Sequence, residues 1–141
     1  MALHFHPEPG LVLLCDYSEF RVPEMVKERL VVIISPRLRR REGLCTVVPL
    51  SQTAPEPPQD YHCQLRLERP LPGRWAAESY WVKADMLATV GFHRLTLLGI
   101  GRDHEGKRRY ITPKIPPAEL RVIRQRVLCA LDLESLTKHL D

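Results

Sequence analysis

A mainly β chain of the α+β class is predicted by three observations. Short apolar, β-branched runs recur between Leu11 and Asp85, most of them bounded by proline or glycine. Thirteen prolines against seven glycines in 141 residues exclude a long helical bundle, because a proline inside a helix removes a hydrogen bond and clashes with the preceding turn. Only after Pro117 does the apolar period change to that of a helix. The length fits one domain, residues 1–141, and 44% apolar residues supply a core without metal or disulfide staples.

The elements follow in order. After the turn signal Pro7-Glu8-Pro9-Gly10, Leu11 to Tyr17 reads as a strand that ends in a polar loop carrying Pro23. Leu30-Val31-Val32-Ile33-Ile34-Ser35 is almost continuously apolar, the pattern of a strand covered on both faces. Leu44 to Leu50 reads likewise, and the polar connection Pro36 to Gly43 makes the two a hairpin. If its loop is symmetric, paired positions sum to about 80, which sets Arg29 across from Ser51. Gln52 to Asp60, with Pro55, Pro57 and Pro58, is too poor in donors for a central strand and is expected as an exposed loop. Tyr61 to Glu68 alternates apolar and polar residues, as a strand with one wet face does. Ser79 to Asp85 alternates again, with Tyr80, Val82 and Ala84 on one side and Trp81, Lys83 and Asp85 on the other. One further strand or short helix is expected within Met86 to Leu98, and an edge strand at Arg108 to Thr112. Leu120, Ile123, Val127 and Leu131 then form the apolar stripe of an amphipathic helix, with Pro117 in its first turn and Glu119 at the positive end of its dipole. A last short helix from about Asp132 carries Leu133, Leu136 and Leu140.

Twenty-one basic and 17 acidic residues give a net charge of +4, which favours an anionic partner such as nucleic acid. Cys15, Cys45, Cys63 and Cys129 lie far apart without CxxC spacing and are expected as buried thiols in a reducing compartment. The N-terminus shows no basic region followed by an apolar stretch, and no run approaches the ~20 apolar residues that span a bilayer, so a cytoplasmic protein with no membrane contact is expected. His4 and His6 form an H-x-H pair but lack a clustered third ligand, so no metal site is expected. Gly99-Ile100-Gly101 is too short for a phosphate-cradling loop, and no helix-turn-helix signal supports a DNA-binding regulator.

Three stretches converge at one end of the expected sheet. They are Pro9-Gly10-Leu11-Val12, then Pro23 through Ser35 with Glu24 and Arg29 ahead of the strand, then Thr46-Val47-Val48-Pro49-Leu50-Ser51. Together they resemble the PemK/MazF family of toxins from bacterial toxin-antitoxin modules, in which a glutamate and an arginine precede the second strand and V-P-x-[ST] ends the third. Lys83-Ala84-Asp85 is similar to the family's third segment, a basic residue two before an aspartate. The resemblance implies a small SH3-like antiparallel barrel with a C-terminal amphipathic helix. It also implies a metal-independent endoribonuclease that acts on single-stranded RNA without a cofactor, works as a homodimer and is silenced by a cognate antitoxin. The sequence departs from the family pattern at Leu30, where proline usually follows the arginine, at Ser51, where threonine is commoner, and at Lys83, where some members carry arginine.

Cleaving RNA through its own 2′-hydroxyl needs a base, a cation for charge developing on phosphoryl oxygens, and an acid for the leaving 5′-oxygen. Asp85 suits the base. Arg29 suits bidentate phosphate binding, more than proton donation, because its pKa lies above ~12. Ser51 Oγ would donate to a phosphoryl oxygen, Lys83 would add charge, and Glu24 would orient Arg29 or share the proton transfer. Each has a plainer alternative: Arg29 as a surface ion pair with Glu28 or Glu24, Ser51 as the start of a turn, and Lys83 with Asp85 as a same-face salt bridge. Arg37, Arg39, Arg40 and Arg41 form a basic hairpin tip suited to phosphate contacts, or simply a solvated loop. Gln52 and Trp81 complete the candidate RNA contacts, with Trp75 and Tyr80 as stacking or packing aromatics. The competing function is a catalytically inactive barrel that binds nucleic acid or a protein partner.

Overall fold

The computed structural model describes residues 3–140. Nine strands run in chain order: β1 Val12–Asp16, β2 Glu28–Ile33, β3 Leu44–Ser51, β4 His62–Leu65, β5 Tyr80–Lys83, β6 Ala88–Gly91, β7 Leu95–Thr96, β8 Leu98–Arg102 and β9 Arg108–Ile111. One α-helix, α1 Pro117–Ala130, follows them. The fold is therefore mainly antiparallel sheet with one C-terminal helix, as expected. The strand ladder, however, does not close into a barrel: its order is β4-β5-β3-β2-β1-β7, with β6 attached to β3. The chain breaks the circle at the 3-10 turn Phe92–Arg94, which separates β6 on β3 from β7 on β1.

β2 is the centre of the sheet, and its near-continuous apolar run does what such a run implies. Leu30 and Val32 face one core while Val31 and Ile33 face a second. The first core lies under α1, where Leu120, Ile123 and Val127 pack against Val48, Leu50, Val82 and Leu98. The second holds Leu13, Cys15, Tyr17, Val47, Val90 and Leu95. Leu131, the last residue of the expected stripe, lies past the helix end and is 52% exposed. Asp132 then takes a φ of 60°, a left-handed conformation that stops the helix, and Glu134–His139 continues only as a 3-10 turn with Leu133 and Leu136 exposed.

The β2–β3 register is the one expected: Val31 pairs with Pro49, Val32 with Val48 and Ile33 with Val47. It stops two residues short of Arg29. Arg29 pairs with Cys15 of β1, Ser51 pairs with Trp81 of β5, and no pairing joins the two to each other. Arg29 and Ser51 are therefore not cross-strand neighbours. A second departure lies at the end of β5, where Tyr80, Val82 and Ala84 are buried as the alternation requires. The strand ends at Lys83, and Ala84–Met86 forms a 3-10 turn that redirects the chain into β6, so Asp85 sits on a turn rather than on the strand. β8 was not legible because Gly99 and Gly101 have little strand preference, and its register to β9 is irregular between Gly99 and Arg102.

Gly10 ties these parts together. Its φ of 96° lets its N–H donate to Ile33 O at 2.7 Å while its carbonyl accepts from Ile115 N at 3.0 Å, so one residue joins β2 to the lead-in of α1. No described helix is long and apolar enough to cross a membrane.

All four cysteines are free; Cys15 and Cys45 are buried, whereas Cys63 and Cys129 are only partly covered, less than expected. Burial pushes the Cys15 thiol from an ordinary 9.0 to about 12 and that of Cys45 to about 11. The folded chain thus holds protons that the unfolded chain releases near pH 9, so these thiols stabilise the fold below that pH and lose their contribution as pH rises through 11 to 12. Urea midpoints measured from pH 8 to 11 should fall with pH, and replacing both Cys15 and Cys45 with alanine should flatten that part of the slope.

Candidate functional site

Three connections meet at the end of the sheet where β1 and β3 finish and β2 begins. They are the loop after β1 carrying Pro23, Glu24 and Met25, the proline-rich loop after β3, and the turn Ala84–Met86 after β5. Between them lie two adjoining cavities. One, of about 400 Å³, is lined by Pro57, Tyr61, His62, Lys83 and Asp85 among others. The other, of about 290 Å³, is lined by Tyr17, Phe20, Glu24 and Leu87. Pro23, Met25, Asp85 and Met86 belong to both, so Asp85 stands on the ridge between them.

Lys83, Asp85 and Glu24 are thus brought together. Lys83 and Asp85 share a cavity without forming the ion pair that their spacing suggested; among the described residues the basic side chain within 4.0 Å of the Asp85 carboxylate is His62, whose Nε2 lies 3.8 Å from Oδ1. Glu24 Oε1 accepts weakly from the Arg21 N–H at 3.4 Å and otherwise faces the smaller cavity.

Arg29 lines neither cavity. The surface ion pair is not what it forms: Glu28 is bound by Arg74 at 2.7 Å, and among the described residues Arg29 has no carboxylate partner. Its Nε is buried without a hydrogen bond. The guanidinium lies near enough to Tyr17, a lining residue of the smaller cavity, to oppose the rise that burial imposes on that phenol. A half-buried guanidinium with an unused donor leaves that donor open to an acceptor.

Ser51 takes the turn role. It is 5% exposed, its hydroxyl donates to Thr53 O at 3.1 Å, and it accepts from Thr53 N at 3.1 Å. Gln52 is likewise engaged, its Nε2 donating to Arg74 O at 2.9 Å and Ala76 O at 3.2 Å, which pins the turn around Trp75. Trp81, half-buried, lies beside Ser51 on β5, whereas Tyr80 is core and bonds Trp75 O through its hydroxyl. Arg37, Arg39, Arg40 and Arg41 are exposed at the β2–β3 tip, the opposite end of the hairpin from Ser51, where Arg37 and Arg41 line a separate cavity of about 460 Å³ with Phe5 and Phe92. Among the described residues, no cluster of three or more His, Cys, Asp or Glu side chains is placed to hold a metal ion.

Sequence reasoning missed His62. It fell on the wet face of an alternating segment, where polar residues are expected, and the usable signal was its pairing across from Lys83.

Comparisons with known proteins extend the resemblance. The profile of the family described as PemK-like, MazF-like toxin of type II toxin-antitoxin system matches residues 8–128. An uncharacterized protein of Haemophilus influenzae is 28% identical over 142 aligned positions, covering 92% of this chain and 93% of its own length. Among solved structures, an endoribonuclease from Mycobacterial species is 22% identical with a TM-score of 0.58, covering 90% of this chain and 92% of its own. An endoribonuclease in complex with its cognate antitoxin, also from Mycobacterial species, is 20% identical with a TM-score of 0.55, covering 90% and 94%.

The two hydrogen bonds that Ser51 makes to Thr53 should be visible in stability. Ser51→Ala leaves the Thr53 N–H unpaired in a partly buried turn and should cost about 0.5–1.5 kcal/mol, read from urea denaturation with an unchanged m-value; a variant as stable as the wild type would show that the turn holds without the hydroxyl.

Proposed function

The chain belongs to the PemK-like, MazF-like toxins of type II toxin-antitoxin systems, and from that premise we propose that it is an endoribonuclease that cleaves single-stranded RNA without a metal ion. The observation that carries the reading is the placement of Asp85 with Lys83 in one cavity, Glu24 on the adjoining one, and the unpaired Arg29 guanidinium near Tyr17. The shared fold with a mycobacterial endoribonuclease supports it.

In this reading Asp85 takes the proton of a ribose 2′-hydroxyl, whose oxygen attacks the adjacent phosphorus. The bond from phosphorus to the 5′-oxygen breaks and that oxygen takes a proton from solvent water, leaving a 2′,3′-cyclic phosphate on one fragment and a 5′-hydroxyl on the other. Lys83 and Arg29 offset the negative charge that grows on the phosphoryl oxygens, and fixed charges of this kind usually accelerate a reaction more than any other single feature of a site. Glu24, on the far side of Asp85, orients the substrate or shares the proton. Ser51 assists only if its hydroxyl turns from Thr53 O toward the phosphate, which makes it the most conditional member of the set. Trp81 offers a ring for a base beside Ser51, and the arginine tip meets RNA only if the strand runs the length of the hairpin.

A single subunit presents these groups on an open surface, so a homodimer is the assembly that would turn two such surfaces into a groove. A cognate antitoxin is the partner expected to cover it, as in the related complex. Free thiols fit the reducing cytoplasm. The binding-only alternative is favoured by one observation, the commitment of the Ser51 hydroxyl to its own turn.

The deciding experiment is incubation of the pure protein with mixed-sequence single-stranded RNA. Cleavage should survive EDTA, yield cyclic phosphate ends and fail on a 2′-O-methyl strand. Binding without cleavage would establish the alternative, and efficient cutting of the methylated strand would rule out attack by the 2′-hydroxyl.

Arg29→Ala should lower the cleavage rate by about 10² to 10³ with a stability change within ~1 kcal/mol, and Arg29→Lys should restore only part of the rate because an ammonium keeps the charge but lacks the fork. Should the alanine variant cut within about threefold of wild type, a difference of ~0.65 kcal/mol, the phosphate role assigned to Arg29 is wrong.

A further inference from the structure

His62 belongs to no part of the scheme above, yet its ring is the most constrained polar group in the larger cavity. It sits on β4 directly across from Lys83 of β5, so the two side chains share a face of the sheet. Its side chain is 8% exposed, against 36% for Asp85. The Tyr61 ring stacks on it at 4.6 Å with an interplanar angle of 20°. Its Nδ1 accepts the backbone N–H of Gln59 at 2.9 Å. An N–H can only donate, so the lone pair of Nδ1 faces it and the ring proton lies on Nε2. That Nε2–H is the group turned toward Asp85.

Asp85 needs such a partner. It lies on a three-residue turn with no side-chain capping bond, and among the described residues no other charged side chain pairs with it. A carboxylate serving as a base must present one oxygen to the proton it removes, and freedom of rotation dilutes that orientation. From this geometry, and resting on the reading of Asp85 as base, we propose that His62 is the positioning residue of the site. Its Nε2–H holds Oδ1 of Asp85 and leaves the second carboxylate oxygen to the ribose hydroxyl. At 3.8 Å the pair is longer than a hydrogen bond. Closure by about 0.8 Å completes it, the kind of tightening that catalytic contacts undergo when substrate arrives. The proline-rich loop takes part, because the Gln59 N–H that fixes the tautomer belongs to it. The relay runs from backbone to imidazole to carboxylate, with the base held by a second group that is itself held by a third.

The test uses two substitutions that divide the imidazole between them. His62→Gln places an amide donor where Nε2 was and loses the acceptor for Gln59, while His62→Asn keeps an acceptor near Gln59 and reaches no further. RNA cleavage kinetics of the full chain are compared for wild type, both variants, His62→Ala, Asp85→Asn and the double variant His62→Ala with Asp85→Asn, each with its melting temperature. Asparagine and alanine should lower kcat at least about tenfold with KM little changed, glutamine should stay within about threefold, and His62→Ala should add nothing to Asp85→Asn. The reverse order, asparagine active and glutamine slow, would show that His62 only pins the loop and would overturn the proposal; so would wild-type rates in all three. A wild-type rate in Asp85→Asn refutes the base assignment itself and is thereby told apart from a failure of His62 alone. Independent of turnover, nitrogen NMR of the imidazole at neutral pH should show the proton on Nε2, and a proton on Nδ1 would overturn the proposal even in a protein that cuts no RNA.

Discussion

Burial of β2 on both faces is the constraint on which the rest of the structure depends. A strand whose neighbouring residues point into two separate cores, Leu30 and Val32 into one and Val31 and Ile33 into the other, can neither slip by one residue nor leave the centre of the sheet without exposing both sets. β1 and β3 are fixed on either side of it, and through them β5, β6 and β7. The ends of this central trio are where the chain must enter and leave. Loops therefore collect there, and the side chains that carry chemistry collect with them.

The two ends of the β2–β3 hairpin differ in kind. At the tip, four arginines stand exposed around a turn, suited to long-range attraction of an anion, and two of them, Arg37 and Arg41, line a cavity with Glu42, His4 and His6. At the other end, Pro23, Pro55 and Pro57 stiffen the loops that wall the two cavities, and Lys83, Asp85, His62 and Glu24 project between them. Rigid walls matter because a base and a charge clamp gain rate only when their separation is set before the substrate binds. The second core supports the same end, since Tyr17, Phe20 and Met25 belong both to it and to the wall of the smaller cavity.

What the sequence made legible follows from range. The strands through β5, the covered character of β2 and the stripe of α1 as far as Val127 are written in local periodicity, and the structure follows each. The extrapolation from Val31–Pro49 to Arg29–Ser51 failed because the pairing of β2 with β3 ends at Val31–Pro49, a limit that register alone does not set. The placement of Asp85 on the strand failed because the buried Ala84 satisfies alternation and a turn equally well. The barrel did not close because the segment after β5 is broken by a 3-10 turn at Phe92–Arg94, a feature with no strong local signature. His62 escaped because its meaning lies in three long- or medium-range facts, the pairing with Lys83, the approach to Asp85 and the bond from Gln59, none of which a polar residue on a wet face announces.

At Arg29 the structure removes one of two readings, the surface ion pair. A surface ion pair requires a carboxylate, and the two in reach by sequence are both otherwise engaged, Glu28 by Arg74 and Glu24 by the turn at Arg21 and by its cavity. What remains is a guanidinium whose Nε is sealed from water and unbonded, held near a buried tyrosine on a strand that cannot move. Folding alone would not favour that arrangement, because an unmatched buried donor costs on the order of 1–3 kcal/mol. Under the function proposed above, the partner that would offset this cost is an anion offering two acceptor oxygens to the guanidinium fork. In the function proposed above that anion is a phosphodiester of the substrate, and Asp85 and Lys83 would serve the ribose beside it.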